Sequence, residues 1–283
     1  MLVQFMVKNF LSFRDETILD MTAINAYKEH ECNLIDIGQK EKYVKVAAIY
    51  GANASGKSNL YLAMQYFQKI IKESLNNVSD DGETVISKLY FPFGFENNTD
   101  NTEFQIIEIV GDYEYKYGFE YNADCIVTEW LYRKKLETNR TSIVFERTTD
   151  SVKFGACVRK ECEKYEEQIP TETLMLSFFN KLKLKTDVFR NVYSAVMDTL
   201  VVPTEFCEDL RFIDMFLPRA IDNSKEKLLK FLSAIDTGIT DILYEEKDKK
   251  INFYTFHKGK DGEEYPLNLL SESEGTLKSI ILF

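Results

Sequence analysis

The feature that most constrains this chain is a glycine-rich segment between an apolar run and an amphipathic run. Residues 44–50 read VKVAAIY, residues 51–58 read GANASGKS, and apolar residues then recur at helical spacing from Leu60 to Ile71. An apolar strand, a glycine loop and a helix in this order are the context in which G-x-x-x-x-G-K-S indicates a P-loop rather than a chance turn. The sequence therefore predicts a strand over 44–50 and a helix over 57–74, joined by a phosphate-binding loop.

The residue types of this loop suit phosphate chemistry. Gly51 and Gly56 permit a tight turn whose successive N–H groups converge on an anion, and the positive end of the following helix dipole points at the same place. Lys57 would reach the β- and γ-phosphate oxygens, and the Ser58 hydroxyl would complete a Mg²⁺ shell of water and phosphate. The predicted nucleotide-binding residues of this segment are Gly51, Asn53, Ala54, Ser55, Gly56, Lys57, Ser58 and Asn59. The prediction is a site for a nucleoside triphosphate with Mg²⁺.

Composition narrows the class of protein. A chain of 283 residues with 45% hydrophobic and 29% charged residues is ordinary for a globular protein, and its apolar runs are too short to span a membrane. We expect a cytoplasmic protein, because the N-terminus lacks a signal-peptide pattern. Five scattered cysteines and two histidines predict reduced thiols and no metal cluster. A net charge of −11 disfavours broad nucleic-acid binding. Two clusters remain candidates for a local basic patch, namely Arg133–Lys135 and the set Lys181, Lys183 and Lys185.

The remaining pattern predicts three domains. Residues 1–155 form a nucleotide-binding lobe, in which a hairpin of strands 2–7 and 17–21 precedes the P-loop and an aromatic antiparallel meander follows it. Residues 156–236 form a helical insert lobe with helices over 185–200 and 224–235. Residues 237–283 form strands over 239–244, 251–258 and 265–270, then a loop and a helix in which Ser271 and Glu274 have capping-box spacing.

Three segments in order carry a resemblance to a known family. They are the N-terminal strand followed by Asn9-Phe10-Leu11-Ser12-Phe13, the P-loop, and the late Glu272-Ser273-Glu274-Gly275-Thr276. Together they resemble the ABC/SMC-like ATPases, specifically the bacterial "AAA family fifteen" proteins related to the OLD and RecF groups. The resemblance implies an α/β fold of the P-loop NTPase, ABC/SMC-head-like type, with an antiparallel β-meander lobe and a helical insert. It also implies ATP and Mg²⁺ as ligands.

The resemblance further implies partners. In such ATPases the signature loop of one protomer contacts the γ-phosphate held by the P-loop of another, which here assigns Ser273 and Gly275 to a head-to-head homodimer. The resemblance also places Arg14 near the nucleotide. An equal alternative is that Arg14 is a surface arginine in a hairpin. Family members often control an effector such as a nuclease or toxin in phage defence, which is an expectation from analogy alone.

The chain also departs from the family pattern. An apolar strand ending in Asp-Glu normally follows the signature helix, whereas this sequence ends at Phe283 inside that helix, so it resembles a front portion cut before its catalytic acid. The catalytic residues are therefore unassigned, because the acids that end the apolar runs 143–146 and 195–198 are expected to be structural. We expect Leu277, Ile280, Ile281 and Leu282 to be exposed.

A non-hydrolysing nucleotide-binding scaffold completed by a partner chain is the alternative function. A P-loop phosphotransferase is disfavoured, because no arginine-rich lid follows the P-loop.

Overall fold

The computed structural model describes residues 1–24, 30–75, 84–95, 100–199, 210–235, 237–247 and 250–283. These residues form two compact units. The first unit comprises Met1–Ala48, Leu60–Phe93 and Thr99–Val201, and the second comprises Ile49–Asn59, Gly94–Asn98 and Val202–Phe283. Each unit draws on segments that are separated in sequence, so the three predicted domain ranges stay a prediction.

The first unit is built on a seven-stranded sheet in which every neighbouring pair is antiparallel. Its order is β2-β1-β5-β6-β7-β8-β9. The strands are β1 (Leu2–Lys8), β2 (Thr17–Asp20), β5 (Thr102–Val110), β6 (Tyr113–Tyr121), β7 (Ile126–Lys135), β8 (Arg140–Thr148) and β9 (Val152–Phe154). A separate antiparallel pair is formed by β3 (Leu34–Asp36) and β4 (Lys42–Val44). The predicted N-terminal hairpin and the aromatic meander are confirmed.

The core of the first unit lies between this sheet and the helix that follows the P-loop. Helix α1 (Lys57–Glu73) buries Phe67, Ile70 and Ile71, which confirms the predicted helix. The ring of Phe67 stacks on that of Phe119 from β6, with centroids 5.6 Å apart and planes 9° apart. Burying each such side chain contributes about 1.5–3 kcal/mol, so this contact fixes α1 on the sheet.

Short helices complete the first unit. They are α2 (Val85–Lys88), α3 (Arg159–Cys162), α4 (Met175–Lys181) and α5 (Val188–Asp198), with a 3₁₀ segment over Glu163–Gln168. The predicted helical character after residue 157 is confirmed here. The apolar positions Val188, Val192 and Val196 of α5 are buried, as their spacing predicted. These helices share one core cluster with the meander strands and α1.

The second unit combines two helices with a three-stranded sheet. Helix α6 (Leu210–Ala234) has a non-helical residue at Ser224, where the second predicted helix was expected to begin. Strands β10 (Ile239–Lys247), β11 (Lys250–Lys258) and β12 (Glu264–Asn268) pair antiparallel in chain order, which confirms the predicted return strands. A 3₁₀ turn over Leu269–Ser271 leads into α7 (Glu274–Leu282).

Two expectations about exposed apolar residues are wrong. Leu277 and Ile280 are only 2% and 6% exposed, because they pack in one cluster with Leu228 and Leu232 of α6. The side chains of Ile281 and Leu282, for which exposure was also predicted, lie outside the described residues. The second unit therefore covers the apolar face of α7 with its own helix and sheet.

The strand predicted over residues 44–50 is also wrong. Strand β4 ends at Val44, and residues 46–50 form no strand. Val46 and Tyr50 are 81% and 89% exposed. A strand exists only where a neighbour accepts its ladder hydrogen bonds, and within the described chain no backbone hydrogen bond reaches residues 46–50. The apolar composition of this run therefore did not determine its pairing.

No helix among the described residues is long and apolar enough to cross a bilayer.

Candidate nucleotide-binding site

The glycine-rich loop has the backbone geometry that its sequence predicts. Gly56 has φ +87°, in the left-handed region that favours glycine. Ala54 also adopts positive φ, at +59°, which costs a residue with a Cβ about 1–2 kcal/mol. A Cβ built on Gly51 would lie 2.6 Å from Ser55 Oγ, so a side chain here would require the Ser55 hydroxyl to rotate. The positive φ of Gly56 is therefore the stronger geometric reason for a glycine in this loop.

The loop is open to solvent. Gly51, Ala52, Ala54 and Ser55 are exposed, and Ser58 is partly exposed. Helix α1 begins at Lys57, and the first N–H groups of a helix have no partner inside it. In the part of the chain that the structure describes, the amides of Gly56, Lys57 and Ser58 make no backbone hydrogen bond outside the helix. This arrangement leaves convergent donors at a helix N-terminus for an anion.

The Lys57 side chain folds back over the loop. Its Nζ donates to the carbonyl oxygens of Gly51, at 2.9 Å, and Ala52, at 2.5 Å. The Lys57 ammonium group is therefore held at the same loop whose amides can donate to an anion. Phosphate oxygens are stronger acceptors for an ammonium than neutral carbonyls, so an anion in this loop would compete for the Lys57 side chain.

The residues present also fit a magnesium ion that arrives with a nucleotide. Ser58 supplies a hydroxyl in the first turn of α1, and Mg²⁺ prefers oxygen ligands and keeps several waters. Among the described residues, no group of three or more histidine, cysteine or acidic side chains could hold a metal ion. The protein would therefore contribute one or two oxygens, and the phosphates and water would contribute the rest.

The late signature segment forms a capped helix start, at a different residue from the one predicted. Ser273 is the N-cap of α7, and its Oγ accepts a hydrogen bond of 3.1 Å from the amide of Thr276. The predicted capping box of Ser271 and Glu274 is wrong, because Ser271 ends the preceding 3₁₀ turn. Glu274 is the first residue of α7 and pairs with Lys278 one turn later.

The structure brings two of the predicted site segments together on one chain. A Cβ built on Gly275 would meet Asn53 Oδ1 closer than 3.0 Å, so a side chain at residue 275 would require the Asn53 amide to turn away. Asn53 belongs to the P-loop, and both residues belong to the second unit. Arg14 belongs to the first unit, in the turn after β1, where its carbonyl accepts from the amide of Asn9. The assignment of Arg14 to the nucleotide stays a prediction.

Sequence reasoning missed a buried carboxylate beside the signature. Glu272 is 7% exposed, and its Oε1 accepts hydrogen bonds from the Thr255 hydroxyl and, at 2.7 Å, from His257 Nε2. The available signal was strand periodicity, which places Thr255 and His257 on the same face of β11.

Other candidate residues have structural partners. Gln105 on β5 accepts a hydrogen bond from Trp130 Nε1 at 3.2 Å. Glu146 accepts from the Tyr132 hydroxyl and pairs with Lys153, and these contacts lower the pKa of Glu146. In the predicted basic patch, Lys134 pairs with Glu114 and Lys135 with Glu137. The cysteines that the structure describes (Cys32, Cys125, Cys157 and Cys162) are all free thiols.

A solvent-open glycine loop that starts a helix, with lysine and serine as its last residues, defines a P-loop of the nucleotide-binding class. Residues 46–161 match the family model described as "AAA domain, putative AbiEii toxin, Type IV TA system". The matched range contains the P-loop, α1 and the meander, so this part of the chain is similar to a P-loop ATPase-type domain. No curated protein matches the chain.

Proposed function

We propose that this protein is an ATP-binding ABC/SMC-like ATPase that binds ATP with Mg²⁺ at residues 51–58. The observation that carries the proposal is the solvent-open loop with Gly56 at positive φ, immediately before Lys57 and Ser58 at the start of α1. The match of residues 46–161 to an AAA domain supports it, because that range includes the whole loop.

The chemistry of binding follows from the groups present. The amides of Gly56, Lys57 and Ser58 would donate to phosphate oxygens, and Lys57 would exchange the carbonyls of Gly51 and Ala52 for phosphate. Ser58 would hold the metal through its hydroxyl. Mg²⁺ would neutralise charge between the phosphates. The proposal assigns no catalytic acid or base.

The biological role is proposed from the resemblance and the family description. Binding of ATP would bring two copies together head to head, with Ser273 and Gly275 of one facing the nucleotide of the other, and this dimer would control an effector such as a nuclease or toxin in the cytoplasm. The words "AbiEii toxin" and "Type IV TA system" in the family description support a part in toxin–antitoxin or abortive-infection defence against phage. Nucleic acid is a less favoured partner, because the net charge is −11.

Nucleotide binding is tested by titrating the purified chain with fluorescent ATP in the presence of Mg²⁺. Lys57→Ala should weaken binding by roughly 10–100-fold, because a charge-assisted hydrogen bond contributes about 1.5–3 kcal/mol. Lys72→Ala is the matched control, since Lys72 is an exposed lysine in the last turn of the same helix, and its affinity should equal that of the wild type. Equal affinity for the wild type and Lys57→Ala would remove the basis of the proposal.

A second candidate function is a non-hydrolysing nucleotide-binding subunit that a partner completes. The exposure of Val46 and Tyr50, in a run without backbone hydrogen bonds directly before the loop, favours it. Phosphate release from ATP separates the two functions. If the wild type releases phosphate from ATP and Lys57→Ala abolishes this release, the protein is an ATPase. If the wild type binds ATP but releases phosphate no faster than Lys57→Ala, the second candidate is supported.

A further inference from the structure

The carboxylate of Glu272 is fixed by two side chains of strand β11. Both the Thr255 hydroxyl and His257 Nε2 donate to its Oε1, and its side chain is 2% exposed. A buried carboxylate is costly unless such hydrogen bonds compensate for lost water. Moving Glu272 away from β11 would break both hydrogen bonds, so these contacts hold the residue that precedes Ser273.

The helix on the other side of Ser273 is fixed independently. Leu277 and Ile280 are buried in the core of the second unit, and the Ser273 hydroxyl caps the first turn through the Thr276 amide. Gly275 lies between these two anchors, Glu272 before it and Leu277 after it. The position of its backbone is therefore determined by groups of the same chain.

The space in front of Gly275 is filled by the P-loop. The three nearest atoms to a Cβ built on Gly275 are Oδ1, Cγ and Nδ2 of Asn53. The φ of Gly275 is not in the left-handed region, so a side chain at this position would disturb the Asn53 amide rather than strain the backbone. Any side chain at residue 275 would have to displace Asn53, which lies between Gly51 and Gly56 in the phosphate-binding loop.

We propose that Glu272 and Gly275 are positioning residues of the nucleotide site on their own chain. Glu272 fixes the turn, and Gly275 leaves the space that Asn53 occupies while residues 51–58 hold their phosphate-binding conformation. This inference rests on the proposed function and adds to it, because it gives the signature segment a role in ATP binding by a single copy. Contact of Gly275 with the nucleotide of a second copy would require it to move away from Asn53, so this role applies to the single copy.

The test is a double-mutant cycle in ATP affinity, measured at a protein concentration where sedimentation shows a monomer. Gly275→Ala should weaken ATP binding roughly 3–10-fold, because the added methyl group would turn the Asn53 amide away from its place in the loop. In an Asn53→Ala background the same substitution should have little effect, because the crowding atoms are gone. Gly94→Ala is the matched control, as a Cβ there meets nothing within 4 Å, and it should leave affinity unchanged.

Glu272 is tested by comparing two substitutions. Glu272→Gln keeps an oxygen that accepts from Thr255 and His257 and should retain most of the affinity, whereas Glu272→Ala should lose about as much as Gly275→Ala. Thermal unfolding of each variant is measured in parallel. A merely structural role predicts that Gly275→Ala weakens ATP binding equally with and without Asn53. A positioning role predicts that the loss of affinity disappears in the Asn53→Ala background while the unfolding temperatures stay equal.

The outcomes separate the two proposals. If Lys57→Ala weakens ATP binding but Gly275→Ala binds like the wild type, the positioning role is overturned and the P-loop assignment stands. An equal effect of Gly275→Ala with and without Asn53 also overturns the positioning role. If Lys57→Ala binds ATP as tightly as the wild type does, the proposed function fails and this inference fails with it.

Discussion

At the scale of single residues, Glu108 on β5 is a buried acid, one of whose oxygens has no partner among the described residues. It is 2% exposed, and its Oε1 accepts a 2.8 Å hydrogen bond from the Thr199 hydroxyl. Its Oε2 has no hydrogen-bond partner among the described residues. Burial raises the pKa of Glu108, although the Thr199 hydrogen bond and the charge of the N-terminal amine lower it in part. The folded state therefore binds the Glu108 proton more tightly than the unfolded chain does.

A pH dependence of stability follows. Because the folded pKa lies above the unfolded value of about 4.3, the folded state retains a proton that the unfolded state has lost. The free energy of unfolding should therefore fall as pH rises from below this value through the raised pKa. Glu108→Gln removes the titration, so its stability relative to the wild type should increase between pH 4 and pH 8 in denaturant unfolding.

The matched control for this prediction is Glu146→Gln. The pKa of Glu146 is lowered by Tyr132 and Lys153, so the wild-type contribution is present above the unfolded value and lost as pH falls. This variant should become less stable relative to the wild type as pH rises, the opposite sign. A difference between Glu108→Gln and the wild type that does not change with pH would contradict the account of Glu108.

The roles of individual residues were predictable only where a local pattern determines them. Gly51 and Gly56 are recognisable from the G-x-x-x-x-G-K-S spacing, and Gly56 has the positive φ that favours glycine. The contact of Asn53 with Gly275 and the hydrogen bond of His257 to Glu272 join residues from separate segments. No local pattern indicates such a pair, because the pairing is set by how the elements pack.

At the scale of elements, Glu129 on β7 docks helix α4 on the sheet of the first unit. Its carboxylate accepts from the amides of Met175, at 2.7 Å, and Leu176, at 3.1 Å, which are donors in the first turn of α4. It also accepts from the Tyr117 hydroxyl at 3.0 Å. Arg147 lies 3.8 Å away and donates to two further backbone carbonyls of the segment that leads into α4.

Removing this carboxylate should destabilise the first unit strongly. Glu129→Ala leaves the Arg147 charge and two helix amides buried without their partner, and breaking a buried pair in this way costs about 3–5 kcal/mol. Glu114→Ala is the control on the neighbouring strand, where the partly exposed pair with Lys134 should contribute no more than about 1 kcal/mol. Urea unfolding measures both, and similar losses for the two variants would contradict this account of α4.

The elements were predictable to different degrees. Strand β6 lies in the aromatic meander that the sequence predicts, because burial on one face of a strand gives its aromatic residues a period of two. The strand predicted over 44–50 failed, because its apolar residues say nothing of whether a neighbouring strand is present. The start of α7 was placed two residues early, since Ser271 and Ser273 both suit a cap and the 3₁₀ turn decides between them.

At the scale of the whole molecule, each unit has its own apolar core. The cluster of the first unit contains Phe67 and the aromatic face of the meander, and that of the second contains Leu228, Leu232 and Leu277. The P-loop groups with the second unit, and the chain passes into the first unit within α1. Because the second unit draws on segments 49–59, 94–98 and 202–283, its composition could not be derived from sequence order.

The most direct measurement of nucleotide binding at the P-loop is an amide proton–nitrogen NMR titration of the isotope-labelled chain with ATP and Mg²⁺. We expect the largest shift changes at the amides of Gly51, Gly56, Lys57 and Ser58, with no such changes in Lys57→Ala or when adenosine replaces ATP. Shift changes confined to other residues, or equal changes at these four amides with adenosine, would contradict the claim that this loop binds the phosphates of a nucleotide.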